Sequence, residues 1–291
     1  MLAGELLDEM SAQLHGYGST QDRITPLTNS IGTTDVTMTV DFSFGQAVGI
    51  APGIIEIDSE QLYAVNIDST TNIITVANGF GRGYNGTTPA THAAGARVVS
   101  RPKFPRNWMF KQANQVIDSL YPDLFAVQTF TGTVTWPNNT YDLGVSTPVE
   151  VLDAQWQDTL GRWWKCDSYT IDPFDGSFRL GGGALVGRPL RVVYTTPPSL
   201  LVNETSDFSI TGLPSSCAEL VILGVVARQV FGLDISRAQL SSVEQSARST
   251  QVPPNAGLNA SSYVMKLFAT RLQSEAKSLR SQYKPRMVKV F

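Results

Sequence analysis

Residues 75–99 read TVANGFGRGYNGTTPATHAAGARVV, and this stretch decides between two folds. Gly81, Gly83 and Gly86 match Gly-x-Gly-x-x-Gly, the turn that joins a strand to a helix whose first amides hold a pyrophosphate in dinucleotide-binding units. A strand-like stretch, residues 72–80, does precede the glycines. The residues after them cannot make the helix, because Pro89 and Gly95 interrupt it and no apolar stripe at helical spacing runs through it. Without that helix the phosphates have no donors, so no cofactor is expected. The glycines instead supply positive φ in a hairpin or long turn. The stretch LGGGALVGRP, residues 180–189, lacks the Lys-Ser/Thr of a phosphate-binding loop and also reads as a turn.

Around this stretch the chain reads as strands. In residues 34–40, Val36, Met38 and Val40 alternate with polar residues. Residues 53–58, 60–68, 72–80 and 96–100 continue the pattern, so residues 21–103 are expected to form a small antiparallel β-domain. Ahead of it, Leu2, Leu6, Leu7, Met10 and Leu14 mark an amphipathic helix within residues 1–20, ended by Gly16 and Gly18. Behind it, in residues 104–124, Pro105 suits the first helical position. Trp108, Met109, Ala113, Val116, Ile117 and Leu120 form a stripe, and Pro122 stops it.

Residues 125–200 return to short strands bounded by Gly, Pro, Asn and Asp, which fits a sandwich or small barrel. Residues 201–283 are helical. Residues 217–231 are apolar nearly all round and read as a buried helix ended by Gly232. A second helix is expected over 236–249, then a Pro253-Pro254 loop, then a third over roughly 261–283. The end, residues 284–291, is an extended tail. The fold class is therefore α+β in the order α-β-α-β-α, with two antiparallel β-regions attached to a helical core.

Composition narrows the chemistry. Charged residues make up 16% of the chain and the net charge is -3, so bulk electrostatics do not describe a nucleic-acid binder. Residues 1–100 hold ten acidic and three basic side chains, whereas residues 261–291 hold seven basic ones against Glu275 alone. A basic end on an acidic protein points to an acidic partner or a solvated helix face. With Glu5, Asp8 and Glu9 at the start, no secretory signal is expected there, and the longest apolar run, residues 220–227, falls short of a membrane span. Two cysteines, Cys166 and Cys217, and two histidines, His15 and His92, lie at no ligand spacing, so no metal is expected. His92 in ATHAAG reads as a turn residue. Glu56, Asp58 and Glu60 read as the solvated face of a strand running into a turn. Trp156, Trp163 and Trp164 could stack on a sugar, but adjacent tryptophans point to opposite strand faces, so at least one is expected in the core. No catalytic constellation stands out, and no enzyme is expected.

Ile57, Asp58 and Glu60, followed by Arg82, Gly83, Gly86, Thr87, Thr88, Ala90, His92, Gly95 and Val98, resemble a β-module of tailed-phage virion proteins. Its signature runs R-G-x-x-G-T-T-x-A-x-H-x-x-G-x-x-V after an Ile-Asp-x-Glu turn. The resemblance spans about 45 residues and makes Asp58, Glu60, Arg82, Gly83, Gly86, His92 and Gly95 a structural turn motif. The sequence KFPRNWMFKQANQVIDSLYPDLF, residues 103–125, is similar to the helix after a Phe-Pro-Arg lead-in in head-to-tail adaptor (connector) proteins of the phage neck. The β-region at 125–194 departs from the smallest, all-helical adaptors.

The family resemblance implies a virion structural protein. Such a protein is made in the host cytoplasm and forms a homo-oligomeric ring, typically dodecameric, beneath the portal. Its partners would be the portal and a tail-completion or stopper protein. DNA would pass through the lumen without sequence-specific binding, and no membrane is involved. In the tail, Met287, Lys289 and Phe291 alternate with Val288 and Val290, so it could add a strand to a partner's sheet. Lys284, Arg286, Met287, Val288, Lys289, Val290 and Phe291 are the expected portal-docking residues. The alternative is a baseplate or tail-tip protein with a receptor- or carbohydrate-binding β-domain.

Overall fold

The structure, a computed structural model, describes residues 1–17, 22–42, 52–144, 150–172, 174–241 and 256–283, with side chains described outside 231–241 and 256–259. It is an α+β fold in which, among the described residues, two antiparallel β-regions are joined to four helices.

Helix α1 (Ala3–His15) buries Leu6, Leu7, Met10 and Leu14, the expected stripe. Its first amides are satisfied by a neighbouring loop, Ala3 N–H donating to the Ser206 carbonyl at 2.9 Å and Gly4 N–H to that of Glu204 at 2.8 Å. Helix α2 (Arg106–Ser119) buries Met109, Ala113, Val116 and Ile117, whereas Trp108, expected in the stripe, is exposed. Helix α3 (Ala218–Ser241) packs against α1, α2 and α4 (Ala256–Gln282). Each neighbour covers part of its surface, which is why the sequence there is apolar all round. Gly232 does not end α3, which runs on to Ser241 and absorbs the start of the helix expected at 236. A mid-helix glycine costs only about 1 kcal/mol relative to alanine, and a helix packed on three sides tolerates it. The rest of that expected helix and the Pro253-Pro254 loop lie outside the described residues. Helix α4 begins before the expected residue 261.

The first β-region has strands β1 (Arg23–Pro26), β2 (Thr37–Thr39), β3 (Gly53–Ile57), β4 (Glu60–Asp68), β5 (Ile73–Val76) and β6 (Arg97–Ser100). They pair in the order β1-β6-β3-β4-β5-β2, all antiparallel. The two end strands meet at the isolated bridge between Leu27 and Val40. Thr28 N–H donates to the Thr39 carbonyl at 2.8 Å and Asp41 N–H to that of Pro26 at 3.0 Å. The sheet thus curls into a barrel around Met38, Val40, Ile55, Ile57, Leu62 and Ile74. Closure leaves no open edge at that seam.

The second β-region carries a four-stranded sheet, in the order β10-β9-β13-β7, and a three-stranded one, β11-β12-β8. Their strands are β7 (Ala126–Thr133), β8 (Thr140–Tyr141), β9 (Val151–Gln157), β10 (Trp163–Lys165), β11 (Tyr169–Ile171), β12 (Phe178–Leu180) and β13 (Pro189–Thr196). Between the sheets lies a core that includes Tyr141, Phe178, Leu190, Val192 and Tyr194, as in a sandwich. Leu152 joins the core of the helices, and Val127 and Val193 pack against it, so the outer face of the larger sheet rests on the helical body at one end.

Candidate functional site

The residues of the 75–99 stretch converge on one carboxylate. Strands β3 and β4 are joined by the two-residue turn Asp58-Ser59, with Ile57 opposite Glu60 and Asp58 at a φ of 52°. That turn puts Glu60 in phase with Leu62 and Ala64, on the face that lines the barrel interior. Glu60 therefore points inward, beneath the loop that carries Arg82 and His92.

Its carboxylate accepts five hydrogen bonds. Oε1 takes Arg82 Nε at 2.8 Å and Gly83 N–H at 2.9 Å; Oε2 takes Arg82 Nη2, Ala90 N–H and His92 Nε2, each at 2.9 Å. The remaining Arg82 donors bind the carbonyls of Gly32 at 2.6 Å, Asp35 at 2.9 Å and Ala90 at 2.7 Å. His92 Nδ1 lies 2.7 Å from Asp58 Oδ2. With a carboxylate at each ring nitrogen, both nitrogens donate and the ring is an imidazolium. Burial opposes its charge, but the bonds to Glu60 and Asp58 prevail and raise the His92 pKa. Burial likewise opposes the Glu60 charge, yet Arg82, His92 and the two amides hold that carboxyl well below the usual carboxylate range.

Gly83 explains why the turn needs glycine. Its φ is 61°, and a Cβ there would lie 2.8 Å from both Pro89 Cδ and the Thr87 carbonyl. Its N–H goes to Glu60, which takes the place a phosphate would have in a cofactor loop. Only one 3-10 turn, Tyr84–Gly86, comes after it. We expect Gly83→Ala to cost about 2 kcal/mol through strain at positive φ and crowding. A urea midpoint unchanged from the parent would refute this account.

Of the expected turn-motif residues, Asp58, Glu60, Arg82, Gly83 and His92 share this network. Gly86 and Gly95 stand in adjoining turns at φ of 76° and 86°. Gly95 N–H donates to the Leu27 carbonyl at 2.7 Å, tying the motif to the barrel seam. The expected portal-docking residues, Lys284, Arg286, Met287, Val288, Lys289, Val290 and Phe291, lie outside the described residues.

Two expectations fail here. Glu56 and Glu60 are buried rather than solvated, and only Asp58 is exposed. Glu60 is reversed in phase by the turn. Glu56 does face out of the barrel, but it meets the start of α2 there instead of solvent. Neither Trp163 nor Trp164 is in the core, at 40% and 53% exposure. Arg191 covers one face of Trp163 at 4.7 Å, and Trp164 Nε1 donates to Asp158 Oδ2 at 2.8 Å. Strand β10 is a three-residue edge strand, too short and too peripheral to bury either ring.

A second cluster, not foreseen, sits where the barrel meets the helices. Glu56 Oε2 accepts the Arg106 N–H at 2.8 Å, at the first turn of α2. The Arg106 guanidinium binds Glu204 Oε2 at 2.8 Å, Asp8 Oδ1 at 2.6 Å and the Gly4 carbonyl at 3.1 Å. One residue thereby joins β3, α1, α2 and the 204 loop beside a cavity of about 290 Å³. Burial raises the Glu56 carboxyl to about 7, against the pull of the Arg106 amide. The sequence does hold one signal: a basic residue in the first turn opposes the helix dipole and calls for acidic partners.

Among the described residues no group of His, Cys, Asp and Glu has the arrangement of a metal site, and no helix is long and apolar enough to cross a membrane. Cys166 and Cys217 are buried free thiols, each pushed up to about 11 by burial. Compared with known proteins, the chain matches no protein-family model and no curated protein.

Proposed function

We propose that this chain is a structural protein of a tailed-phage virion, a head-to-tail adaptor that forms a ring below the portal and joins capsid to tail. One observation carries the reading. The residues through which the sequence resembles the phage module, Asp58, Glu60, Arg82, Gly83 and His92, form one hydrogen-bonded charge network around the buried Glu60. Both oxygens of Glu60 and both nitrogens of His92 are already engaged, so the network is built to hold a loop rather than to transfer protons. That supports a scaffold role and no enzymatic one. Low charge density with abundant Thr, Asn and Ser suits polar contacts between ring subunits, past which DNA slides without being held.

Immunogold labelling of particles that carry this chain tests the assignment. Gold at the head–tail junction is the expected result, and gold at the distal tip overturns it. In the same proposal residues 284–291 dock on the portal. Deleting them is expected to abolish portal binding in a pull-down with the barrel's thermal transition unchanged; undiminished capture refutes the docking role.

The exposed Trp163 and Trp164 favour one second reading, a baseplate or tail-tip protein whose sandwich meets a receptor or carbohydrate. The distal gold position belongs to that reading.

A further inference from the structure

The two outermost strands of the larger sandwich sheet differ in protection. β10 is three residues long and carries Lys165, and a short, charged edge discourages pairing. β7, residues Ala126–Thr133 with the sequence AVQTFTGT, has eight residues, no charge and no proline, and its register with β13 is unbroken. The edge strands of the smaller sheet, β8 and β11, have two and three residues, and the barrel is closed at its seam. Among the described residues, β7 alone is a long edge without protection.

The pairing with β13 fixes which groups of β7 are free. Bonded and non-bonded positions alternate along an antiparallel pair. Just past the end of β7, Val134 N–H donates to the Arg188 carbonyl at 2.8 Å, so Gly132, Phe130, Gln128 and Ala126 are the residues bonded to β13. The other end agrees: Thr195, opposite Val127, sends its N–H away from β7 to the Glu150 carbonyl at 2.9 Å. Val127, Thr129, Thr131 and Thr133 therefore direct N–H and C=O outward. Among the described residues, no backbone group meets them.

These four residues complement themselves. When a sheet continues across a two-fold axis normal to it, the two edge strands run antiparallel and each residue stays on its own face. One register engages all four outward residues of both strands. It sets Thr129 opposite the second copy's Thr131 and Val127 opposite its Thr133, with the axis beside Phe130. A shift of two residues either way leaves one outward residue of each strand unpaired. On the outer face threonine then meets threonine, a favourable cross-strand pair. On the core side Phe130, half-buried beside Tyr141, meets its own copy at a non-bonded position, where side chains approach closest. No charge on either strand opposes the approach.

We infer that two free chains pair antiparallel through β7 in this register, so that their four-stranded sheets become one. The contact belongs to the chain before it meets any other partner. It does not rest on the neck assignment, and each fails separately: gold at the tail tip would leave it standing.

Sedimentation of the full-length chain over a range of concentrations tests it, with amide exchange measured at both extremes. The parent should sediment as two chains when concentrated and as one when dilute. In the paired state the Val127, Thr129, Thr131 and Thr133 amides should exchange about tenfold more slowly, whereas those of Gln128, Phe130 and Gly132, already bonded to β13, change little. Thr131→Pro removes an outward N–H and none of the bonds to β13, so it should sediment as a single chain with the parent's thermal transition. Thr131→Lys keeps that N–H and sets two like charges near the axis. It should weaken pairing about tenfold, and it serves if proline disturbs the strand. A parent that stays single at every concentration overturns the inference. So does association that survives both variants, or protection of the outward amides that is equal at both concentrations.

Discussion

Glu60→Ala is expected to remove about 4 kcal/mol of stability and to melt the barrel first. The magnitude comes from the groups that the substitution strands. Arg82 and His92 are both buried cations whose charge is met by this carboxylate, and without Glu60 only His92 retains a carboxylate contact, to the exposed Asp58. The Gly83 and Ala90 amides also lose their acceptor. Breaking a buried pair from one side is costly because the surviving charge stays desolvated. Urea denaturation followed by barrel amide resonances reads the effect, and a loss under about 1 kcal/mol would show that the network is incidental.

Replacing Glu60, Arg82 and His92 together with apolar residues of similar size provides the sharper comparison. Buried ion pairs exchanged for apolar side chains often leave stability unchanged or improved. Here the exchange should not restore it. Two amides and the Gly32, Asp35 and Ala90 carbonyls depend on the charged groups, and apolar side chains offer them nothing. The charges therefore serve the loop's backbone as much as each other.

The sequence made the α+β class and the α1 and α2 stripes legible, because helical periodicity is a local property that burial respects. The barrel was partly legible, since β3 to β6 announce themselves by alternation. β1 did not, because four residues, RITP, carry no period. The candidate site was legible as a list of residues through the resemblance, but its physics was not. Glu60 meets Arg82 across 22 residues and His92 across 32, and no local pattern reports those pairings. Read by alternation alone, Glu56, Asp58 and Glu60 share a face. The tight turn between them breaks that rule, since after two turn residues the next strand starts in the phase of Ile57. Trp163 and Trp164 failed for a related reason: burial depends on how much sheet surrounds a strand, which spacing does not encode.

Glu56 should make the protein lose stability as pH rises through the range in which most carboxylates favour folding. Its carboxyl is raised from 4.5 to about 7 by burial between β3 and α2, so the folded chain holds this proton more tightly than the unfolded one. The contribution is fully present below pH 4.5 and is lost as pH climbs to about 7. The difference corresponds to about 3 kcal/mol by pH 8. Glu60 has the opposite sign, its lowered pKa giving stability that disappears only in acid. His92, with its raised pKa, gives stability that is lost as pH rises through that raised pKa. Both remain in a Glu56→Gln variant, so the difference between variant and parent isolates Glu56. Glutamine keeps an oxygen for the Arg106 amide and cannot ionise. The variant should match the parent near pH 4.5 and exceed it by about 3 kcal/mol at pH 8 in urea titrations. A constant difference across that range would mean that Glu56 is charged in the folded protein throughout. The junction between barrel and helices would then be held by a salt-bridged carboxylate rather than by a buried acid.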